Sequence, residues 1–190
     1  GVRGHFACGN CSVCPFTTTT KLIQFETGFR WEIRNHTNCN TQRVVYMISC
    51  PCGQRYIGMT SRKAKIRIGE HRSNIRCKKS NTKMTCHFLE NGHSADDISW
   101  VILESFPPSA NCDRILLESE QRWIFRLGSH VDGLNEGIPW GAFATWPIFT
   151  IRCGFSWIHV GLQLFCHQLG TLEYTWWWQG HHFIDVVALL

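Results

Sequence analysis

The sequence predicts a mixed α/β (α+β) fold, a small three-stranded antiparallel sheet flanked by helices. Three observations predict it. Two short apolar segments, each carrying a tyrosine, flank a Cys-Pro-Cys-Gly turn within residues 44–60. Apolar residues recur at helical spacing after residue 61 and again after residue 111. A third apolar run, 98–106, stops at Pro107-Pro108.

Taken in order, residues 1–42 form a polar, Thr- and Asn-rich segment that holds Cys8, Cys11, Cys14, His36 and Cys39. Its Phe25, Phe29, Trp31 and Ile33 alternate with polar residues, which fits a short strand or hairpin. Strands follow at 43–50 and 55–60. Because side chains alternate along a strand, Val44, Tyr46, Ile48 and Cys50 share one face, and Tyr56, Gly58 and Thr60 share another. An odd-length turn between the strands brings both tyrosines to the same side of the sheet.

Thr60 or Ser61 is placed to cap a helix running to about residue 76. Ala64, Ile68, His71 and Ile75 make its apolar line, with Lys63, Arg67, Glu70 and Asn74 on an adjoining face. A basic linker, Lys78-Lys79, leads to a short helix near 82–90 and the turn Asn91-Gly92-His93. After the strand at 98–106, a second long helix starts past Asn111 or Asp113 and reaches about residue 127. There Leu116, Glu120, Trp123 and Leu127 follow one stripe, whereas Glu118 points elsewhere. A carboxylate in an apolar stripe is costly unless it is paired or bound to a cation. The spacing alone is equally met by a stripe-edge glutamate that reaches solvent or an arginine.

Composition divides the chain. Its formal charge is +5, and ahead of residue 139 there are 18 Lys and Arg against 12 Asp and Glu. From Pro139 onward only Arg152, Glu173 and Asp185 are charged, yet six of the nine tryptophans lie there. The reading is therefore a cysteine-rich segment over 1–42, a domain over 43–138 and a hydrophobic tail over 139–190 that is not a domain. The tail shows no helical or strand period, and charges and histidines interrupt it too often for a membrane span. No signal peptide is visible, and a chain opening on Gly1 reads as a piece of a longer protein. An odd count of eleven cysteines, with Cys8-x-x-Cys11-x-x-Cys14 and Cys50-x-Cys52 spacing, favours metal ligation over disulfides. Cys77, Cys86, Cys112, Cys153 and Cys166 follow no pattern and read as plain thiols, and His181-His182 as incidental.

Val-Val-Tyr at 44–46 and Tyr-Ile-Gly at 56–58 together resemble the paired motif of the GIY-YIG endonucleases. The likeness extends to "RIGEH" over 67–71, to "ESEQRWIFRL" around Glu120, and to "GLN" closing on Asn135. The subgroup it most resembles is the endonuclease domain of Penelope-like retroelements, through Cys-Pro-Cys-Gly between the strands and the later "HFLENGH". That resemblance implies a zinc-binding insertion made by Cys50, Cys52, His87 and His93, a closed four-ligand site. The segment "CGNCSVC" resembles the cysteine-rich stretch found upstream of such domains. It points to a second zinc on Cys8, Cys11 and Cys14, with His36 or Cys39 as the fourth ligand.

The resemblance also implies the chemistry. Glu120 would hold one Mg²⁺ or Mn²⁺, a sparse site that Mg²⁺ tolerates because it keeps its waters. Arg67 would grip the scissile phosphate, Tyr46 would act as general base or place the water, Tyr56 would orient water or phosphate, and His71 would share the proton transfer. Gly58 would let the backbone approach substrate, with Lys63, Lys65 and Asn135 as further substrate contacts. Lys63, Lys65, Arg72, Arg76, Lys78 and Lys79 form a basic cluster suited to DNA phosphates. Two departures from the family pattern are Val-Val-Tyr for Gly-Ile-Tyr, and Met59 where a basic residue is frequent. The partners implied are DNA and a reverse transcriptase of the parent element, in the nucleus. The alternative is a catalytically silent, zinc-stabilised remnant that binds nucleic acid.

Overall fold

The computed structural model describes residues 1–80, 82–109, 111–137, 149–153, 156–166 and 172–177. His181-His182 lie outside them. In chain order the elements are β1 (Gly4–Phe6), β2 (Leu22–Gln24), β3 (Arg30–Glu32), β4 (His36–Asn38), β5 (Val44–Ser49), β6 (Arg55–Thr60), α1 (Ala64–Arg76), α2 (Lys83–Glu90), β7 (Ser99–Ser105), α3 (Cys112–Arg126), β8 (Phe149–Cys153), β9 (Ser156–Cys166) and β10 (Leu172–Trp177). Contacts divide the chain into two compact units, Gly1–Ala142 and Phe143–Leu190. None of the described helices is long and apolar enough to cross a membrane.

The first unit is built on an antiparallel sheet of order β6-β5-β7. Strand alternation sorts its residues onto two faces. Val44, Tyr46 and Ile48 of β5 pack with Trp100 and Ile102 of β7 against Ala64, Ile68 and Ile75 of α1 and Met84 and Phe88 of α2. Val45, Met47, Ile57, Val101 and Leu103 pack on the opposite face against Leu116, Trp123 and Ile124 of α3. The register shifts between Val45 and Tyr46 and leaves Leu103 without a β5 partner. Such a bulge re-aims neighbouring side chains, and the Leu103 carbonyl accepts instead from Trp31 Nε1 at 2.9 Å.

The cysteine-rich segment belongs to this same unit. The alternating aromatics form the β2–β3 hairpin, and β1 pairs in parallel with β4, a long-range pairing that no local pattern announces. Thr82 caps α2 through a reciprocal box with Thr85. α1 differs from the sequence reading. Neither Thr60 nor Ser61 caps it; the Thr60 hydroxyl accepts from the Arg62 backbone, and the helix opens at Ala64 with no side-chain cap. Its first free amides are met from the N-terminal segment, Ala64 N–H by the Thr41 carbonyl and Lys65 N–H by the Cys39 carbonyl, both at 2.9 Å.

The second unit holds an antiparallel sheet of order β10-β9-β8. The sequence reading expected no strand period there, yet β8 (Phe149, Ile151 and Cys153 around Thr150 and Arg152) and the start of β10 (Leu172, Tyr174 and Trp176 around Glu173 and Thr175) do alternate.

Candidate active site and metal clusters

Tyr46 and Tyr56 lie on the same side of the sheet, as expected, with ring centroids 6.4 Å apart. Gly58 stands opposite Tyr46 across the β5–β6 ladder. A methyl group at Gly58 would strike the Tyr46 hydroxyl and ring and come within 2.8 Å of the Tyr56 ring. The glycine therefore makes room for the tyrosine inside the protein.

α1 supplies two side chains one turn apart. The His71 Nε2 lies 2.8 Å from the Tyr46 hydroxyl, and its ring stands edge-on to Tyr56 at 5.1 Å. Burial, helped by the Arg67 charge, pushes His71 down to about 3, so it is neutral. The Arg67 charge favours the ionised form of Tyr46, and the Tyr46 hydroxyl and His71 Nε2 share one hydrogen bond whose direction follows the His71 tautomer. Burial raises both tyrosines, and Arg67 pulls both back. Burial opposes the Arg67 charge too, but Tyr46, Tyr56 and Glu70 outweigh it. Glu70 pins Arg67 at 3.3 Å and is itself held by Arg62 at 2.8 Å.

One expectation needs correction. Tyr46 is 0% exposed and cannot meet solvent where it stands, so the role of a base acting directly on water does not fit it. Half-buried Tyr56 and Arg67 are the groups that face outward.

Glu120 comes from α3, whose stripe packs on the other face of the sheet. Its carboxyl lies by the Met59 backbone of β6, and its charge raises Tyr46 and Tyr56. Burial pushes its carboxyl up to about 7, against the pull of the Met59 backbone amide and Arg67. Among the described residues it makes no ion pair. A half-buried carboxyl that lacks a full counter-charge is a fit for a divalent cation. Glu118, by contrast, faces Arg114 at 3.7 Å.

Asn135 has a different task from the one expected. Its Oδ1 accepts from Ile57 N–H at 2.8 Å and from the Ser129 hydroxyl, and its Nδ2 donates to the Ile57 carbonyl at 2.7 Å. The amide mimics a neighbouring strand along β6 and has little left for substrate. Glu136 beside it raises Tyr56 and is a charged neighbour that motif reading missed. Lys63 is exposed at the start of α1 and Lys65 lies in its first turn. Arg72 leaves the basic cluster altogether, because its side chain is buried.

Two clusters bring their ligand atoms within 4.8 Å of one another: Cys8, Cys11, Cys14 and Cys39, and Cys50, Cys52, His87 and His93. The first resolves the open fourth position in favour of Cys39; His36 is exposed and bonds the Val2 carbonyl. Its Cys14 sulfur lies 3.5, 3.4 and 3.5 Å from those of Cys8, Cys11 and Cys39. Zn–S bonds of about 2.3 Å in a tetrahedron put sulfurs roughly 3.8 Å apart, so little movement would seat an ion. In the second, His87 Nε2 is 3.3 Å from Cys50 and 3.2 Å from Cys52, and its Nδ1 contacts Asn91 Nδ2. An outer partner on a ligating histidine is the normal companion of a metal site. Burial pushes the Cys39 and Cys50 thiols up, a strain that a cation reverses.

Residues 42–135 match the family model of the GIY-YIG catalytic domain. Among similar solved structures is the catalytic domain of the intron endonuclease I-TevI in a mutant form, at 22% identity and a TM-score of 0.41, covering 48% of this chain and 89% of that one. Another is the catalytic domain of the homing endonuclease I-TevI, at 22% identity and a TM-score of 0.42, covering 50% and 98%. No curated protein matches the chain.

Proposed function

We propose that residues 42–135, which match the GIY-YIG catalytic domain, nick DNA by metal-dependent phosphodiester hydrolysis. The observation that carries this reading is the convergence of Tyr46, Tyr56, Arg67, His71 and Glu120 around one strand, β6.

Arg67 receives the scissile phosphate with its fork of donors, in exchange for Glu70. Tyr56 at the rim orients the attacking water. Behind it, Tyr46 hydrogen-bonds His71 and holds the imidazole toward the site. Phosphate at Arg67 cancels part of the charge that holds His71 down, so substrate itself makes the imidazole more basic. Glu120, steadied by the Met59 amide, holds Mg²⁺ or Mn²⁺. Such an ion, held by Glu120, would supply positive charge at the phosphate and acidify water. Cys50, Cys52, His87 and His93 hold a structural zinc that ties the β5–β6 turn to α2. The Cys-Pro-Cys-Gly and "HFLENGH" stretches support a retroelement setting of the Penelope-like kind, with a reverse transcriptase as partner, in the nucleus.

The test is plasmid nicking by the full chain with Mg²⁺, with Mn²⁺ and with chelator. Open-circle product that requires a divalent ion is expected. Tight DNA binding without nicking under either ion would establish the silent remnant instead.

A further inference from the structure

We propose that Arg72 is a positioning residue that couples the two Cys/His clusters to each other and to the helix bearing Arg67 and His71. Its side chain is 6% exposed. Its Nε donates to the Ala95 carbonyl at 3.0 Å, one terminal nitrogen donates to the Ser12 carbonyl at 3.0 Å, and the other pairs with Asp96. The guanidinium carbon lies 3.6 Å from the centre of the Phe16 ring. Ser12 sits between Cys11 and Cys14, and Phe16 closes the 3-10 turn that begins at Cys14. Ala95 and Asp96 follow directly after His93-Ser94. One guanidinium thus grips the loop of each cluster.

A buried guanidinium is tolerated only while its donors are satisfied. Two of its acceptors are backbone carbonyls whose positions depend on the two loops. An ion that orders one loop fixes part of the Arg72 contact set, which lowers the cost of ordering the other loop. Coupling of this kind acts equally in both directions. The effect reaches the active site because Arg72 shares α1 with Arg67 and His71, and because the Cys39 and Thr41 carbonyls cap the start of that helix. The proposal rests on metal occupying both clusters.

The experiment loads the full chain with Co²⁺, whose absorption separates a four-thiolate site from a two-thiolate, two-imidazole site. Affinity of each cluster is read by chelator competition in the wild type, in Cys8→Ser/Cys11→Ser, in Cys52→Ser, and in each of these with Arg72→Lys. Disabling one cluster should weaken the other at least tenfold. With Arg72→Lys that ratio should fall to within twofold, and nicking should lose kcat with little change in KM. Two ions per chain with independent affinities, or coupling that survives Arg72→Lys, would overturn the proposal. Fewer than two ions per wild-type chain would defeat the metal reading and the coupling with it. If Arg72→Lys does not fold, Asp96→Asn carries the test, because this carboxylate is 67% exposed. It should cut the coupling at least threefold, and unchanged coupling counts against the proposal.

Discussion

On the α3 face of the β6-β5-β7 sheet, Val45, Met47, Ile57 and Val101 meet Leu116, Trp123 and Ile124, and the aromatics of the β2–β3 hairpin close over them. On the α1 face the alternate residues of the same strands set Tyr46 and Tyr56 against His71. The difference lies in how polar atoms are treated. The α3 face is mainly apolar, with the Ser119 hydroxyl donating to Glu104 and Trp31 Nε1 to the Leu103 carbonyl, while the α1 face buries a hydroxyl, an imidazole and, nearby, a guanidinium, each with a partner. A sheet can carry partly buried chemistry on one side when the other side is held mainly by apolar packing.

Substitutions on each face should separate those contributions. The largest effect is expected at Trp123, which is buried and stands edge-on to Trp31 at 4.9 Å. Trp123→Ala should cost about 3–5 kcal/mol in urea unfolding, with nicking per folded molecule unchanged within about twofold. A fall in kcat without loss of stability would break the division between faces. Glu120→Gln should do the reverse. Nicking should drop about 10²–10³-fold, as for loss of a preorganised charged group, while DNA affinity holds and the metal-free fold stays at least as stable as wild type.

Gly58→Ala should injure both properties, since the added methyl meets the Tyr46 and Tyr56 rings. A loss of roughly 1–3 kcal/mol from overpacking is expected, and the Tyr46–His71 bond should shift, visible as a changed His71 resonance in NMR. Wild-type stability with an undisturbed resonance would show that β6 absorbs the methyl.

The pH dependence sharpens the role of Glu120. Burial raises its carboxyl from 4.5 to about 7, so without metal the folded chain keeps a proton that the unfolded chain has released. The resulting stability is complete below 4.5 and is lost as pH rises through about 7. Glu120→Gln should remove that falling limb from melts in chelator. His71, lowered from 6.5 to about 3, works the other way, with stability present above 6.5 and lost as pH falls toward 3. A wild-type minus Glu120→Gln difference that stays flat from 4.5 to 7 would contradict the burial of the carboxyl. The smallest effect belongs to Glu118→Gln, which loses a surface pairing with Arg114 and should change stability by less than about 0.5 kcal/mol.

Much of this arrangement was legible in the sequence, because strand alternation and helical spacing dictate which residues share a face. The pairing of the two tyrosines, the Ala64–Ile68–His71–Ile75 line and both metal-ligand sets follow from that alternation, from cysteine spacing and from the family resemblance. What stayed hidden was mostly main chain. The carbonyls of Cys39 and Thr41 cap α1, and the Met59 amide steadies Glu120, yet backbone groups leave no mark in a residue pattern. Arg72 misled for another reason. An arginine between His71 and Arg76 reads as part of a solvated basic face, and only a long-range fold can bring two carbonyls and a carboxylate to it. Gly58 and Asn135 stand out in the motif, but the ring that one seats and the strand that the other dresses are visible only in the fold.

That dressing of β6 reaches beyond the site. Its outward backbone is occupied in sequence: the Arg55 carbonyl by Leu134 N–H at 2.9 Å, both polar groups of Ile57 by the Asn135 amide, and the Met59 amide by Glu120. An open edge would invite a strand from another molecule. Leu134, Asn135 and Glu120 therefore cover this edge, and chains that lose the 134–135 segment should stick to one another before they unfold.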